Sequence, residues 1–240
     1  MCTVVVLFRP GHVWPVVMVA NRDERVDRAW DLPDTHWPAH PGLLAGRDRT
    51  AGGTWLALSR GGVAAAVLNR QGSLGPAAGK RSRGDLPLMA LSHPTAAEAA
   101  AALATEDAGE WRGFNLVLAD RGGAWFVRGA GHGRPFVQAL EPGVSMVTAH
   151  DPNDLDSPRV ARHLPRFRAA AAPEPREWGA WRAILADRSG DAAEQINVPP
   201  RGGYGTVCSS LLAFPAEGEP VWQFAAGPPD IAPFEPVTAG

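Results

Sequence analysis

With 240 residues, 45% of them hydrophobic and 20% charged, the chain suits one large domain or two small ones and can bury a substantial core. A formal net charge of −2 gives no basic excess for nucleic acid or an anionic membrane surface. Two cysteines cannot build a disulfide framework, and no apolar run approaches the ~18–20 residues of a membrane span. No signal peptide is visible, so a cytoplasmic protein with free thiols is expected.

In chain order, residues 3–8 and 16–20 are valine-rich runs separated by Arg9-Pro10-Gly11, which predicts a hairpin. The first strand places Cys2 at one end of a sheet. The second delivers the polar turn Asn21-Arg22-Asp23-Glu24 as it exits. Residues 25–50 carry Asp, Pro, His and Trp without periodicity and are predicted to form a long loop. Residues 54–59 and 63–68 flank Arg60-Gly61-Gly62 as a second hairpin ending at Asn69. Residues 71–83 read as a flexible loop, and 85–91 and 95–103 as helices, the second with Thr95 and Glu98 as a capping box.

Residues 114–119 and 124–127 form a third predicted hairpin, and 136–140 and 144–149 continue the strands. A helix is expected from Ser157 through residue 172, kinked or broken at Pro165. Another covers 177–188, with Trp178, Trp181, Ile184 and Leu185 on one face. Residues 206–214 and 221–224 are the closing strands, and the Pro-rich end from residue 227 is expected to lie over the surface. This order suits an α+β protein of two stacked, mainly antiparallel sheets with helices outside, read as a single domain over residues 1–240.

Cys2 has a property that depends on its position. If Met1 is removed, as a small second residue allows, the α-amine and the thiol belong to one residue. That amine, with a pKa near ~7.7–8.0, can act as a base. An N-terminal amine that activates its own side chain is an established nucleophile design. The ordinary alternative is a small buried residue that starts a strand.

The run Ala20-Asn21-Arg22-Asp23-Glu24 behind Cys2 resembles the NRDE family, also called the transport-and-Golgi-organisation protein 2 family. Further matching pieces are Ala45-Gly46-Arg47-Asp48, Gly52-Gly53-Thr54-Trp55, Asn69, Ser82-Arg83-Gly84-Asp85-Leu86, Gly113-Phe114-Asn115-Leu116 and Tyr204-Gly205-Thr206. The resemblance implies an N-terminal-nucleophile (Ntn) hydrolase fold, a four-layer αββα sandwich with two sheets between helices. It implies either of two functions. One is hydrolysis or transfer of a linear amide acyl group through a thioester at Cys2, with no cofactor required. The other is non-catalytic binding and trafficking of haem, or binding of acyl-CoA, in the same pocket.

Relatives among the cysteine Ntn hydrolases use an Arg and an Asp after the second strand, separated by two residues. Here the polar residues are contiguous, so those roles fall on Arg22 and Asp23 or on Asn21 and Glu24; the pair facing Cys2 is expected to be Arg22 and Asp23. The relatives supply oxyanion donors from Asn side chains at strand ends. Asn69 stands where one is expected, and His150 is the nearest polar residue where a second would be; loop capping is the plainer role for both. Tyr204 and Thr206 match the family and join the ligand-binding set, whereas Cys208 reads as core. The seven histidines show no metal spacing, and the absence of Cys-x-x-Cys-His excludes covalent haem.

Overall fold

The computed structural model describes residues 2–238. Contacts divide them into two compact units. One comprises residues up to 27 together with 141–237, the other residues 28–140 together with Thr238. Each unit has its own antiparallel sheet and its own helices.

In the first unit, β1 (Thr3–Phe8) and β2 (Val16–Arg25) form the expected hairpin. β2 runs five residues beyond the valine-rich segment, so Asn21-Arg22-Asp23-Glu24 is strand, not turn. A partner the length of the whole strand explains this. β11 (Tyr204–Phe214) pairs with β2 from Tyr204↔Arg25 to Phe214↔Val16, satisfying the backbone of the polar residues in the ladder. The sheet order is β10-β1-β2-β11-β12-β13, with β10 at Gly143–Val147, β12 at Val221–Ala225 and β13 at Phe234–Pro236. The Pro-rich end therefore adds an edge strand to the sheet.

Side chains alternate along each strand. Val5, Leu7, Val17, Val19, Leu211 and Ala213 share one face with Val160, Leu164 and Phe167 of α3 (Pro158–Ala169) and Trp181 and Leu185 of α4 (Gly179–Leu185). α3 starts where expected, with the Ser157 hydroxyl accepting from Val160 N, but it continues through Pro165 unbroken. Leu164 and Phe167 on either side of the proline are anchored in the same core, which holds the helix despite the missing hydrogen bond. α4 is shorter than its sequence pattern because Trp178 takes a left-handed backbone (φ 55°) at its start.

The second unit holds seven strands in the order β3-β4-β5-β6-β7-β8-β9. They are β3 (Trp30–Asp34), β4 (Leu44–Asp48), β5 (Leu56–Leu58), β6 (Ala64–Asn69), β7 (Phe114–Asp120), β8 (Gly123–Gly129) and β9 (Phe136–Ala139). The expected loop at 25–50 thus contains two strands. β3 is an edge strand, which tolerates Pro33, and a register shift between Asp31 and Asp34 erases its alternation. Gly46 on β4 is required by packing: a Cβ there would sit 2.3 Å from the Trp55 ring. α1 (Asp85–Ala90) and α2 (Ala96–Leu103) cover this sheet with Leu86, Ala99, Ala100 and Leu103. No helix among the described residues is long and apolar enough to cross a membrane.

Candidate active site

The polar end of β2 lies between the starts of β1 and β11. Thr3 and Ser209 both stand opposite Asn21, and Cys208 stands opposite Arg22. Alternation sorts these residues onto two faces of one sheet. Arg22 shares its face with Cys208 and with Cys2, one residue beyond the Thr3–Asn21 pair. Asn21 and Asp23 share the helix-facing side with Thr3, Thr206 and Ser209. The expectation that Arg22 and Asp23 both face Cys2 holds for Arg22 alone, because alternation turns the Asp23 side chain to the opposite face. Arg22 shares its face, whereas Asp23 reaches it through the backbone: the Cys2 thiol donates to the Asp23 carbonyl at 3.8 Å.

That carbonyl also accepts from the Tyr204 hydroxyl at 2.7 Å. The Asp23 carboxylate is spent on the other face. Oδ1 accepts from the Thr206 hydroxyl at 2.7 Å, and Oδ2 pairs with the Arg159 guanidinium of α3 at 2.8 Å. The same Arg159 nitrogen donates to the Thr3 hydroxyl at 3.0 Å. This ion pair is almost dry, with side-chain exposures of 5% for Arg159 and 0% for Asp23. Thr206 is also tied to the strand's flank, its hydroxyl accepting from Val198 N at 2.8 Å. Gly205 lets that segment approach: a Cβ there would meet the Val198 carbonyl at 3.0 Å and Pro200 at 3.1 Å.

Asn21 is placed as a structural clamp. Its amide donates to the Leu185 and Ile196 carbonyls at 3.0 and 2.9 Å, and its oxygen accepts from Ser209 at 2.6 Å. Glu24, half-buried, accepts from the next backbone N–H, Arg25 N, at 2.8 Å. His150 lies past β10 with Nδ1 3.3 Å from Asp154 Oδ2. If Nδ1 carries the proton for that contact, Nε2 can donate only when the ring is protonated. Asn69 closes β6 in the second unit, opposite Phe114. Met1 lies outside the described residues.

Arg159 was not among the sequence candidates. Its signal was present: it starts the buried stripe Arg159, Val160, His163, Leu164, Phe167 along α3, and a charge on an apolar stripe needs a partner. Burial pushes the half-buried Cys2 thiol above its ordinary pKa; Asp23 pushes the same way and Arg22 opposes. Cys208, fully buried, is pushed up to about 12 by burial, against the effect of Arg22, which hydrogen-bonds to it. Burial also raises Tyr204, so its hydroxyl stays a donor. Cys2, just before β1, and Cys208 on β11 lie on either side of β2. Two strand spacings, about 9.6 Å, exceed the reach of a disulfide. Both thiols are free.

The family model described as "Transport and Golgi organisation 2" matches residues 1–222. The chain belongs to the Transport and Golgi organisation 2 family. No curated protein matches it. Among solved structures it is similar to a penicillin V acylase from Agrobacterium tumefaciens, at 14% identity and a TM-score of 0.55, covering 94% of this chain and 83% of that one. It is similar to a C2A variant of the conjugated bile acid hydrolase from Clostridium perfringens, at 12% identity and a TM-score of 0.54, covering 100% and 97%. It is also similar to a Caenorhabditis elegans ortholog of N-acylethanolamine-hydrolyzing acid amidase, at 12% identity and a TM-score of 0.52, covering 88% and 92%. These neighbours are of Ntn-hydrolase type, and the expected α+β fold class, with two antiparallel sheets, is that of this family member.

Proposed function

We propose that this family member is an Ntn-type cysteine amidohydrolase or acyltransferase acting on a small linear amide, with Cys2 as the nucleophile. The observation that carries the reading is the Cys2 thiol held against the Asp23 carbonyl at a strand end, with Arg22 on the same face. The fold adds support, since the acylase, the bile acid hydrolase and the acid amidase are named for acyl-amide cleavage.

In this reading the α-amine, exposed once Met1 is removed, takes the thiol proton and Arg22 stabilises the thiolate. Sulfur bonds to the acyl carbon, and the C–N bond breaks as the leaving nitrogen takes that proton. Water then attacks the thioester, releasing the acid and returning a proton to sulfur; an amine in place of water gives transfer. His150, which lies in the same unit as Cys2, is the proposed oxyanion donor when its ring is protonated. Asn21, Glu24, Tyr204 and Thr206 shape the site, Tyr204 and Thr206 by fixing Asp23.

A second reading is a carrier of haem or acyl-CoA that uses the same pocket without catalysis. The upward shift of the Cys2 thiol and the engagement of the Asp23 carboxylate with Arg159 favour it. An amide-hydrolysis screen on wild type, Cys2→Ser and Cys2→Ala, run beside haem and acyl-CoA titrations, separates the two. Turnover that is lost in Cys2→Ala supports the enzyme. Tight stoichiometric binding of haem or acyl-CoA, with no amide turned over, overturns it.

A further inference from the structure

We propose that Arg159 is a positioning residue for Cys2, acting through Asp23 by holding its carboxylate on the helix side of the sheet so that its carbonyl stays against the thiol. The inference rests on the reading of Cys2 as the reactive group. The geometry has three parts. One guanidinium nitrogen of Arg159 bridges Asp23 Oδ2 and the Thr3 hydroxyl at 2.8 and 3.0 Å. Thr3 follows Cys2 on β1, so one donor fixes the residue after the thiol and the residue whose carbonyl receives it. Thr206 holds the other carboxylate oxygen, and Tyr204 shares the carbonyl, leaving Asp23 little freedom.

The purpose is electrostatic as well as steric. A bare carboxylate this close to Cys2 would oppose thiolate formation. Asp23 raises the thiol pKa even in its pair, and Arg159 beside it opposes that effect. The groups that act on the thiol are the N-terminal amine, Asp23 and Arg22 from β2, and Tyr204 and Cys208 from β11; Glu24 and Arg159 act on Tyr204 beside it. On the other side of β1, β10 carries no titratable side chain. Tyr204, raised by burial, stays neutral, so the Asp23–Arg159 pair is the part of this field that a side-chain substitution unbalances.

The test is the pH dependence of Cys2 alkylation by iodoacetamide, mapped by peptide mass, which needs no substrate. Arg159→Met should raise the midpoint by about one pH unit and Asp23→Asn should lower it by about as much, since each leaves one charge uncompensated. The double variant and Arg159→Lys should lie close to wild type. Should Arg159→Met fail to fold, Asp23→Asn and Arg159→Lys still decide. Single variants that shift in the same direction, an unmoved Asp23→Asn, or an Arg159→Lys displaced like Arg159→Met would overturn the proposal. These shifts without turnover of any amide would retain the positioning role and reject the enzyme. Cys2-dependent turnover with unmoved midpoints would do the reverse.

Discussion

The two units solve the same packing problem with different chemistry. In the second unit, α1 and α2 meet their sheet with alanines and leucines, and its buried polar residues are five: Asp48, Thr54, Ser73, Asn115 and Asp120. The first unit buries fourteen among the described residues, including Arg22, Asp23, Arg159 and His163. Its helix α3 carries two of them into the interior, Arg159 onto Asp23 and His163 against the 187–197 segment. Burying charge in this way stabilises less than apolar packing would, and a protein retains it where a defined geometry is needed. The difference sets the buried charges of the first unit, Arg22, Asp23 and Arg159, apart from the mostly apolar interior of the second.

The largest expected effect tests that contrast at its centre. Arg159→Met leaves Asp23 buried without its countercharge and should cost about 3–5 kcal/mol in urea unfolding. Asp23→Asn with Arg159→Met removes both charges and should recover much of it. A double variant no more stable than the single would show that Arg159 acts by packing alone.

A smaller effect is a pH slope that originates in the first unit. Arg166 can only donate, so its 2.9 Å contact makes His163 Nδ1 an acceptor, and Nε2–H donates to the Glu194 carbonyl at 2.9 Å. Burial, with Arg166 adding repulsion, lowers the His163 pKa to about 4. The folded state then binds fewer protons than the unfolded state between about 6.5 and 4. Stability should therefore rise with pH across that window and fall as pH drops through it, by at most about 3 kcal/mol. His163→Gln should flatten the slope; an unchanged slope would assign it to other groups.

The smallest effect belongs to the apolar unit. Thr95→Ala removes the hydroxyl that accepts from Glu98 N at 3.1 Å and should cost about 1 kcal/mol, independent of pH. A pH-dependent loss there would blur the contrast between the units.

How much of this could be read from the sequence depended on whether a signal was local. The β1–β2 hairpin, the Thr95 cap, the start of α3 at Ser157 and the run of strands from β5 to β8 follow from alternation, turn residues and local side chains within a few positions of one another. Cys2 and residues 21–24 stood out in the same way, as a cysteine at position 2 followed by an unusual polar run. The sequence did not determine that this run is a strand, because the ladder that makes it one comes from residues 204–214, some 180 positions away. Nor did it determine which of four contiguous polar side chains face the thiol. That follows from strand alternation once Thr3↔Asn21 and Cys208↔Arg22 set the register, which places Arg22 with the two cysteines and turns Asp23 toward α3. Arg159 shows the same limit: its place on the apolar stripe was local information, but its partner 136 residues earlier in the chain was decided only when α3 packed on the sheet. Local propensity sets elements; the pairing of charges across long loops is decided by packing, because only there does desolvation make an unpaired charge costly.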